Sequence, residues 1–155
     1  MLRVFEYHGW ATIQDTPGDE GLDDDPSPAT LEAIRAAIAE SDLRHRVSLD
    51  ERNVSWFLTI HGLNNHRNPR VVELFETIAR IAPGSYGILF TQDDEAGLGT
   101  PRGADEIGER DNWWYCRVMK RGRVERHTDA WLSPHIPTVE DDLSDVGSDD
   151  APADP

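Results

Sequence analysis

Three histidines are the residues of this chain whose type and placement are most suited to chemistry. His8, His61 and His66 fall near the ends of predicted strands or in a loop, and three converging imidazoles can hold a zinc ion. Their spacing matches no established ligand pattern, and a histidine hydrogen-bonded near a strand edge explains each position equally well. We therefore predict no metal and no cofactor, with a metal-dependent hydrolase built on these histidines as an alternative.

Acidic side chains are the second group with chemical potential. Asp93, Asp94 and Glu95 form a run that offers an acid and a base, but general acid–base catalysis needs a partly desolvated group tuned toward the working pH. Carboxylates in a wet loop lack that environment. The sequence also contains no Gly-rich phosphate loop, no Gly-x-Ser-x-Gly elbow and no dinucleotide fingerprint. These observations predict a protein that is not an enzyme.

Negative charge is concentrated in three segments of the chain, whose formal net charge is −15. Residues 15–25 hold six acids, residues 93–111 hold seven acids and two arginines, and residues 140–155 hold seven acids. The remaining ten acids are outnumbered by 13 bases, so the rest of the protein is mildly basic. The negative electrostatic potential of these segments repels nucleic acid and anionic membranes, and it speeds the encounter with a basic partner. We predict a protein partner with a basic surface, no nucleic acid and no membrane.

The long acidic segment between two predicted strands is the predicted partner-binding site. Loops longer than about 12–15 residues are usually functional or disordered. Trp113 and Trp114 face opposite sides of a strand, so one of them is free to be exposed and to anchor an interface. The predicted contact residues are Asp93, Asp94, Glu95, Asp105, Glu106, Glu109, Asp111 and Trp113.

Two amphipathic helices are predicted to support these segments. The first starts at Ser27-Pro28 and presents Leu31, Ile34 and Ile38 on one face. The second starts at Asn68-Pro69, with Asn68 as the cap, and ends at Pro83-Gly84. Its predicted buried face is formed by Val71, Leu74, Phe75, Ile78 and Ala82.

Five strands are predicted from aromatic and β-branched runs: residues 2–13, 53–63, 86–92, 113–119 and 124–127. Residues 53–63 are apolar on both sides, which favours the centre of a sheet. A hairpin is expected at Lys120-Arg121-Gly122-Arg123. Trp10, Trp56 and Trp114 are expected in the core, and the single cysteine, Cys116, is expected to be a packed thiol. The predicted fold is α+β, with one mixed or antiparallel sheet of about five strands and two helices packed on it.

Several segments together resemble one family. Residues 5–13 (FEYHGWATI), 62–67 (GLNNHR), 81–87 (IAPGSYG) and 132–141 (LSPHIPTVED) are similar to the immunity protein 7 family of bacterial polymorphic toxin systems. The resemblance implies a small cytoplasmic α+β immunity protein that binds and neutralises a cognate toxin by occluding its active or binding surface. The resemblance does not identify which residues of this chain contact the toxin.

The expected organisation is a single α+β immunity domain over residues 1–139 and an acidic disordered tail over 140–155. No run approaches the roughly 18–20 apolar residues of a membrane span, and the N-terminus lacks a secretory layout, so a cytoplasmic location is expected. An alternative partner is a nucleic-acid-binding protein that is not a toxin, inhibited by an acidic surface that imitates nucleic acid.

Overall fold

A computed structural model describes residues 4–17, 25–94 and 113–133 and shows one antiparallel sheet with two helices. The strands are β1 Phe5–Ile13, β2 Val47–Arg52, β3 Ser55–Asn64, β4 Tyr86–Asp93, β5 Trp114–Lys120 and β6 Arg123–Thr128, and the helices are α1 Pro28–Glu40 and α2 Arg70–Ile81. The strand order is β2-β3-β1-β4-β5-β6, and every neighbouring pair is antiparallel. The α+β prediction is confirmed, with six strands in place of about five.

Both helices cover the same face of the sheet, where the core lies. Successive side chains of a strand point to opposite faces, so every second residue of a strand faces the side that the helices cover. Tyr7, Leu58 and Leu89 of three adjacent strands are fully buried there, together with Phe75 and Ile78 of α2. The other face of the sheet carries no helix among the described residues. We call it the helix-free face.

The two central strands of the sheet are β1 and β4, and β1 pairs with β3 on its other side. The prediction that residues 53–63 form the central strand is therefore wrong. β3 has apolar residues on both sides because Phe57 and Leu63 lie on the helix-free face, opposite in orientation to Leu58 and Ile60. Its apolar pattern reflects a partly apolar outer surface and not burial on both sides.

The starts of the two helices follow the predicted chemistry closely. Ser27 is the N-cap of α1, and its hydroxyl accepts a hydrogen bond of 3.2 Å from the backbone N–H of Thr30. The Asp15 carboxylate accepts one of 2.9 Å from the Ser27 N–H, so one of the acids counted in the first acidic segment has a structural role. At α2 the N-cap position falls on Pro69, one residue later than predicted, while the Asn68 side chain still accepts from the Arg70 N–H at 3.1 Å.

Strand β2 was not predicted, and it forms a two-residue hairpin with β3. Val47 and Leu49 pack against the core, whereas the rest of the strand is polar, which made the pattern weak. Asn53 and Val54, placed in a strand by the sequence analysis, form the turn, with φ angles of 50° and 62°. Positive φ at both central residues is the requirement of a type I′ turn, whose preferred sequence is Asn-Gly. The predicted β5–β6 hairpin is confirmed, with Gly122 at φ 74°.

Some predictions fall on residues outside the described ranges. They include the acidic tail from residue 140 and most of the long acidic segment.

The β2–β3 turn yields a stability prediction, because Val54 is β-branched, 77% exposed and held at positive φ. A left-handed conformation costs an L-residue roughly 1–2 kcal/mol, and glycine avoids most of it at some cost in unfolded-state entropy. Val54→Gly should therefore raise the free energy of unfolding by about 0.5–1 kcal/mol in urea denaturation. Val54→Ala is the matched control and should gain less, because alanine keeps a Cβ. A loss of stability in the glycine variant would contradict the turn assignment.

Candidate partner-binding surface

Asp93, the first residue of the predicted site, is buried and not a loop acid. It is the last residue of β4, points to the helix side and is 3% exposed. One of its carboxylate oxygens lies 3.7 Å from the guanidinium of Arg67. A charge taken out of water requires such a partner, so Asp93 serves the fold at this edge of the sheet and offers almost no surface to another protein. Strand β4 therefore extends one residue further than predicted.

The other predicted site residues fall into two groups. Asp94 is partly exposed, accepts a 2.8 Å hydrogen bond from the Gln92 side-chain amide and donates its own N–H to the Val4 carbonyl at 3.1 Å. Trp113 precedes β5 and is half-buried, whereas Trp114 is 5% exposed. The remaining five predicted residues lie outside the described ranges: Glu95, Asp105, Glu106, Glu109 and Asp111.

A small cavity lies between the start of α2 and the edge of the sheet, next to Asp93. It has a volume of about 220 Å³ and is lined by Phe5, Arg67, Asn68, Pro69, Val72, Glu73 and Arg117. Arg117 is 5% exposed and donates a hydrogen bond to the Thr91 hydroxyl. Both signs of charge border the cavity, because Arg67 lies 3.7 Å from the Asp93 carboxylate and Glu73 is among the lining residues.

The three histidines differ in how the structure places them. His8 of β1 and His61 of β3 are direct cross-strand partners, and both are exposed on the helix-free face. The His8 ring contacts the Glu6 carboxylate at 2.7 Å. His66 lies in the loop after β3, and the described part of the chain contains no group of three histidine, cysteine or acidic side chains that could hold a metal ion. Among the described residues, the arrangement of the histidines does not support the alternative of a metal-dependent hydrolase.

The helix-free face presents an apolar patch that the sequence analysis missed. Trp10 was expected in the core, but it points away from the helices and is 46% exposed. Its ring stands edge-on to that of Tyr86, with centroids 6.3 Å apart and planes at 89°, and Tyr86 is 48% exposed. Residues on this face next to the pair include Thr12, Phe57, Thr59, Ile88 and Val118.

The other two tryptophans expected in the core are placed differently from Trp10. Trp56 is partly buried against the core, with the Arg35 guanidinium 5.4 Å from its ring centroid. Trp114 is buried, but it lies on the helix-free face at the end where Ser133 hydrogen-bonds to its backbone. Strand alternation contained the signal for Trp10, because Phe5, Tyr7, Ala11 and Ile13 share one face and Trp10 belongs to the other.

Cys116 also lies on the helix-free face and is half-buried. Burial raises the pKa of its thiol, the negative charge of Asp129 raises it further, and Arg117 opposes both effects. A raised pKa keeps the sulfur protonated at neutral pH, and a protonated thiol is a poor nucleophile. The cysteine therefore behaves as the packed thiol that was predicted.

Comparison with known proteins gives one match. The family model described as immunity protein 7 matches residues 4–141, which is most of the chain. No curated protein and no solved structure shows significant similarity to it. Within the described ranges, neither helix is long and apolar enough to cross a membrane.

The structural role of Asp93 predicts a difference between two neighbouring acids. Asp93→Asn removes the charge that faces Arg67 in a buried setting and should lower the free energy of unfolding by about 2 kcal/mol. Asp94→Asn, the matched control, keeps its acceptor oxygen in a partly exposed position and should change stability by less than about 0.5 kcal/mol. Urea denaturation of both variants at neutral pH measures the difference. Equal stabilities would mean that Asp93 is not needed for the fold.

Proposed function

The chain belongs to the immunity protein 7 family, and on this basis we propose that it neutralises one cognate bacterial toxin by binding over that toxin's active or binding surface. Membership of the family makes the chain an immunity protein of a toxin system. The match over residues 4–141 is the observation that carries the proposal, because it spans both helices and all six strands. Inhibition by binding requires a surface and not a catalytic centre.

Charge supports a toxin with a basic surface. The chain has a formal net charge of −15, and 20 of its 30 acids lie in the three acidic segments. Opposite charge on a partner speeds association, often by a factor of 10 to 10³ at low salt, and contributes less to how long the complex lasts. We assign this steering role to the acidic segment that follows β4, through Asp94, Glu95, Asp105, Glu106, Glu109 and Asp111, beside Trp113. Asp93 is excluded from this role by its burial.

Co-expression tests the function itself. Candidate toxin genes beside this one are expressed singly in a sensitive bacterium; one of them should stop growth, and simultaneous expression of this chain should restore it. The purified pair should form a stable complex with an interface of about 1,200–2,000 Å². Growth arrest that persists while both proteins are soluble and present would reject the proposal for that toxin.

The steering role predicts a position-dependent effect of charge reversal. The triple variant Glu95→Lys, Glu106→Lys, Glu109→Lys should slow association with the toxin by about tenfold or more at low salt and flatten its salt dependence. The control Asp149→Lys, Asp150→Lys, Asp154→Lys changes the net charge by the same amount in the tail and should slow association much less. Stopped-flow measurements over a range of salt concentrations compare the two.

The two variants separate three outcomes. Slower association in the segment variant alone supports the assignment. Equal slowing in both variants would show that total charge matters and the segment does not, and unchanged rates in both would reject the electrostatic account.

A further inference from the structure

We propose that the toxin docks on the helix-free face of the sheet, with Trp10 and Tyr86 as the anchoring pair. This inference rests on the proposed function and adds the surface and the chemistry of the partner's contact region. The helices occupy the opposite face, and among the described residues Trp10, Thr59 and Tyr86 are exposed on the helix-free side, whereas Gln92 and Trp114 at its other end are buried.

The composition of this face matches the anatomy of a protein interface. Its middle rows carry uncharged residues: Trp10, Thr12, Phe57, Thr59, Tyr86, Ile88 and Val118. Charged side chains occur toward its margins, with Glu6 at one end of β1, Asp50 and Arg52 on edge strand β2, and Arg123 and Glu125 on edge strand β6. An apolar centre with a polar rim and few central charges distinguishes interfaces from ordinary surface, and tryptophan and tyrosine are the residues that most often dominate their energetics.

The anchoring pair is held in place before any partner arrives. Trp10 lies on β1, whose backbone is fixed by hydrogen-bonded ladders on both sides, and its ring is braced edge-on by Tyr86. Gly87 allows β4 to approach closely at this point, because a Cβ there would lie 2.2 Å from the Trp10 carbonyl oxygen. A rigid aromatic pair loses little conformational entropy on binding, so its burial contributes fully to affinity.

The area of the face fits a toxin better than an obligate second copy. Six strands at a spacing of about 4.8 Å, each about eight residues long at about 3.3 Å per residue, give a face of about 760 Å², of which the end at Gln92 and Trp114 is buried. That is close to the roughly 800 Å² per partner of a standard complex and below the size of typical obligate dimers. We therefore assign the occupant as a toxin surface with an apolar centre, which meets the aromatic pair, and basic groups around it, which suit the acidic protein. Acidic segments then speed the encounter, and this face holds the complex together.

Alanine substitution of the pair tests the surface directly. The double variant Trp10→Ala, Tyr86→Ala should weaken binding to the toxin encoded beside this gene by at least about 30-fold, mainly through faster dissociation. Trp131→Ala is the matched control: Trp131 is 89% exposed, lies beyond β6 and is not on a strand of the sheet, so its removal should change the affinity less than about threefold. Biolayer interferometry measures both, after circular dichroism has confirmed equal melting temperatures.

A second variant keeps the test valid if the double variant folds poorly. Thr59 is exposed and pairs directly with Trp10 across β1 and β3. Thr59→Arg leaves the aromatic pair intact but places a long charged side chain at the centre of the face, and it should weaken binding by at least about tenfold. The same change at Thr77 of α2, on the helix side, should have no effect.

The outcomes separate this inference from the proposed function. If the wild-type chain binds the toxin and the helix-free variants bind equally well, the surface is wrong while the function stands. If the wild type does not bind at all, the function itself fails. Light scattering tests whether a second copy of this chain occupies the face instead. If the wild type is a dimer, the Trp10 variant is a monomer and toxin binding is unchanged, the face belongs to a second copy and the proposal is overturned.

Discussion

The two hydrogen-bonded ladders on either side of β1 are the constraint on which the rest of the structure depends. They fix the register of β3 and β4 over eight or nine residue pairs each, and strand alternation then decides the side of every neighbouring residue. Phe5, Tyr7, Ala11 and Ile13 are committed to the helices, and Trp10 is committed to the opposite face. A slip of one residue would exchange the core with the outer surface.

Close backbone packing follows from the same pairing. Tyr7 lies over Gly62 of β3, where an added Cβ would come within 2.4 Å of the tyrosine hydroxyl. The Arg46 guanidinium lies 3.4 Å from that hydroxyl and donates to the Leu63 carbonyl at 3.1 Å. Tyr7 of β1 thus contacts Gly62 of β3 and Arg46, which lies just before β2. The polar end of a fully buried tyrosine keeps a hydrogen-bonding partner in this way.

Some acidic side chains of the chain stabilise the fold through hydrogen bonds or ion pairs. Asp15 caps the approach to α1, Asp93 faces Arg67 inside the protein, and Asp129 accepts from the N–H groups of Trp131 and Leu132. Hydrogen bonds from Lys120, together with nearby positive charges, lower the pKa of Glu125. Asp93 and Glu125 lie beside basic side chains that offset their charge, whereas Asp15 and Asp129 accept from neutral backbone N–H groups and keep theirs.

Local signals in the sequence were sufficient for the helices, five of the strands, the β5–β6 hairpin, the packed cysteine and the family, because caps, turn residues and periodicity act over a few residues. They were insufficient for β2, whose two apolar residues gain their environment from pairing with β3 and from packing against the core. The position of β1 at the centre of the sheet also depended on pairing across long stretches of chain. Burial of Asp93 was decided by tertiary structure alone. Alternation along β1 places Trp10 opposite Phe5 and Tyr7, but the face that receives the helices is set by how distant segments pack and not by the residues of one strand.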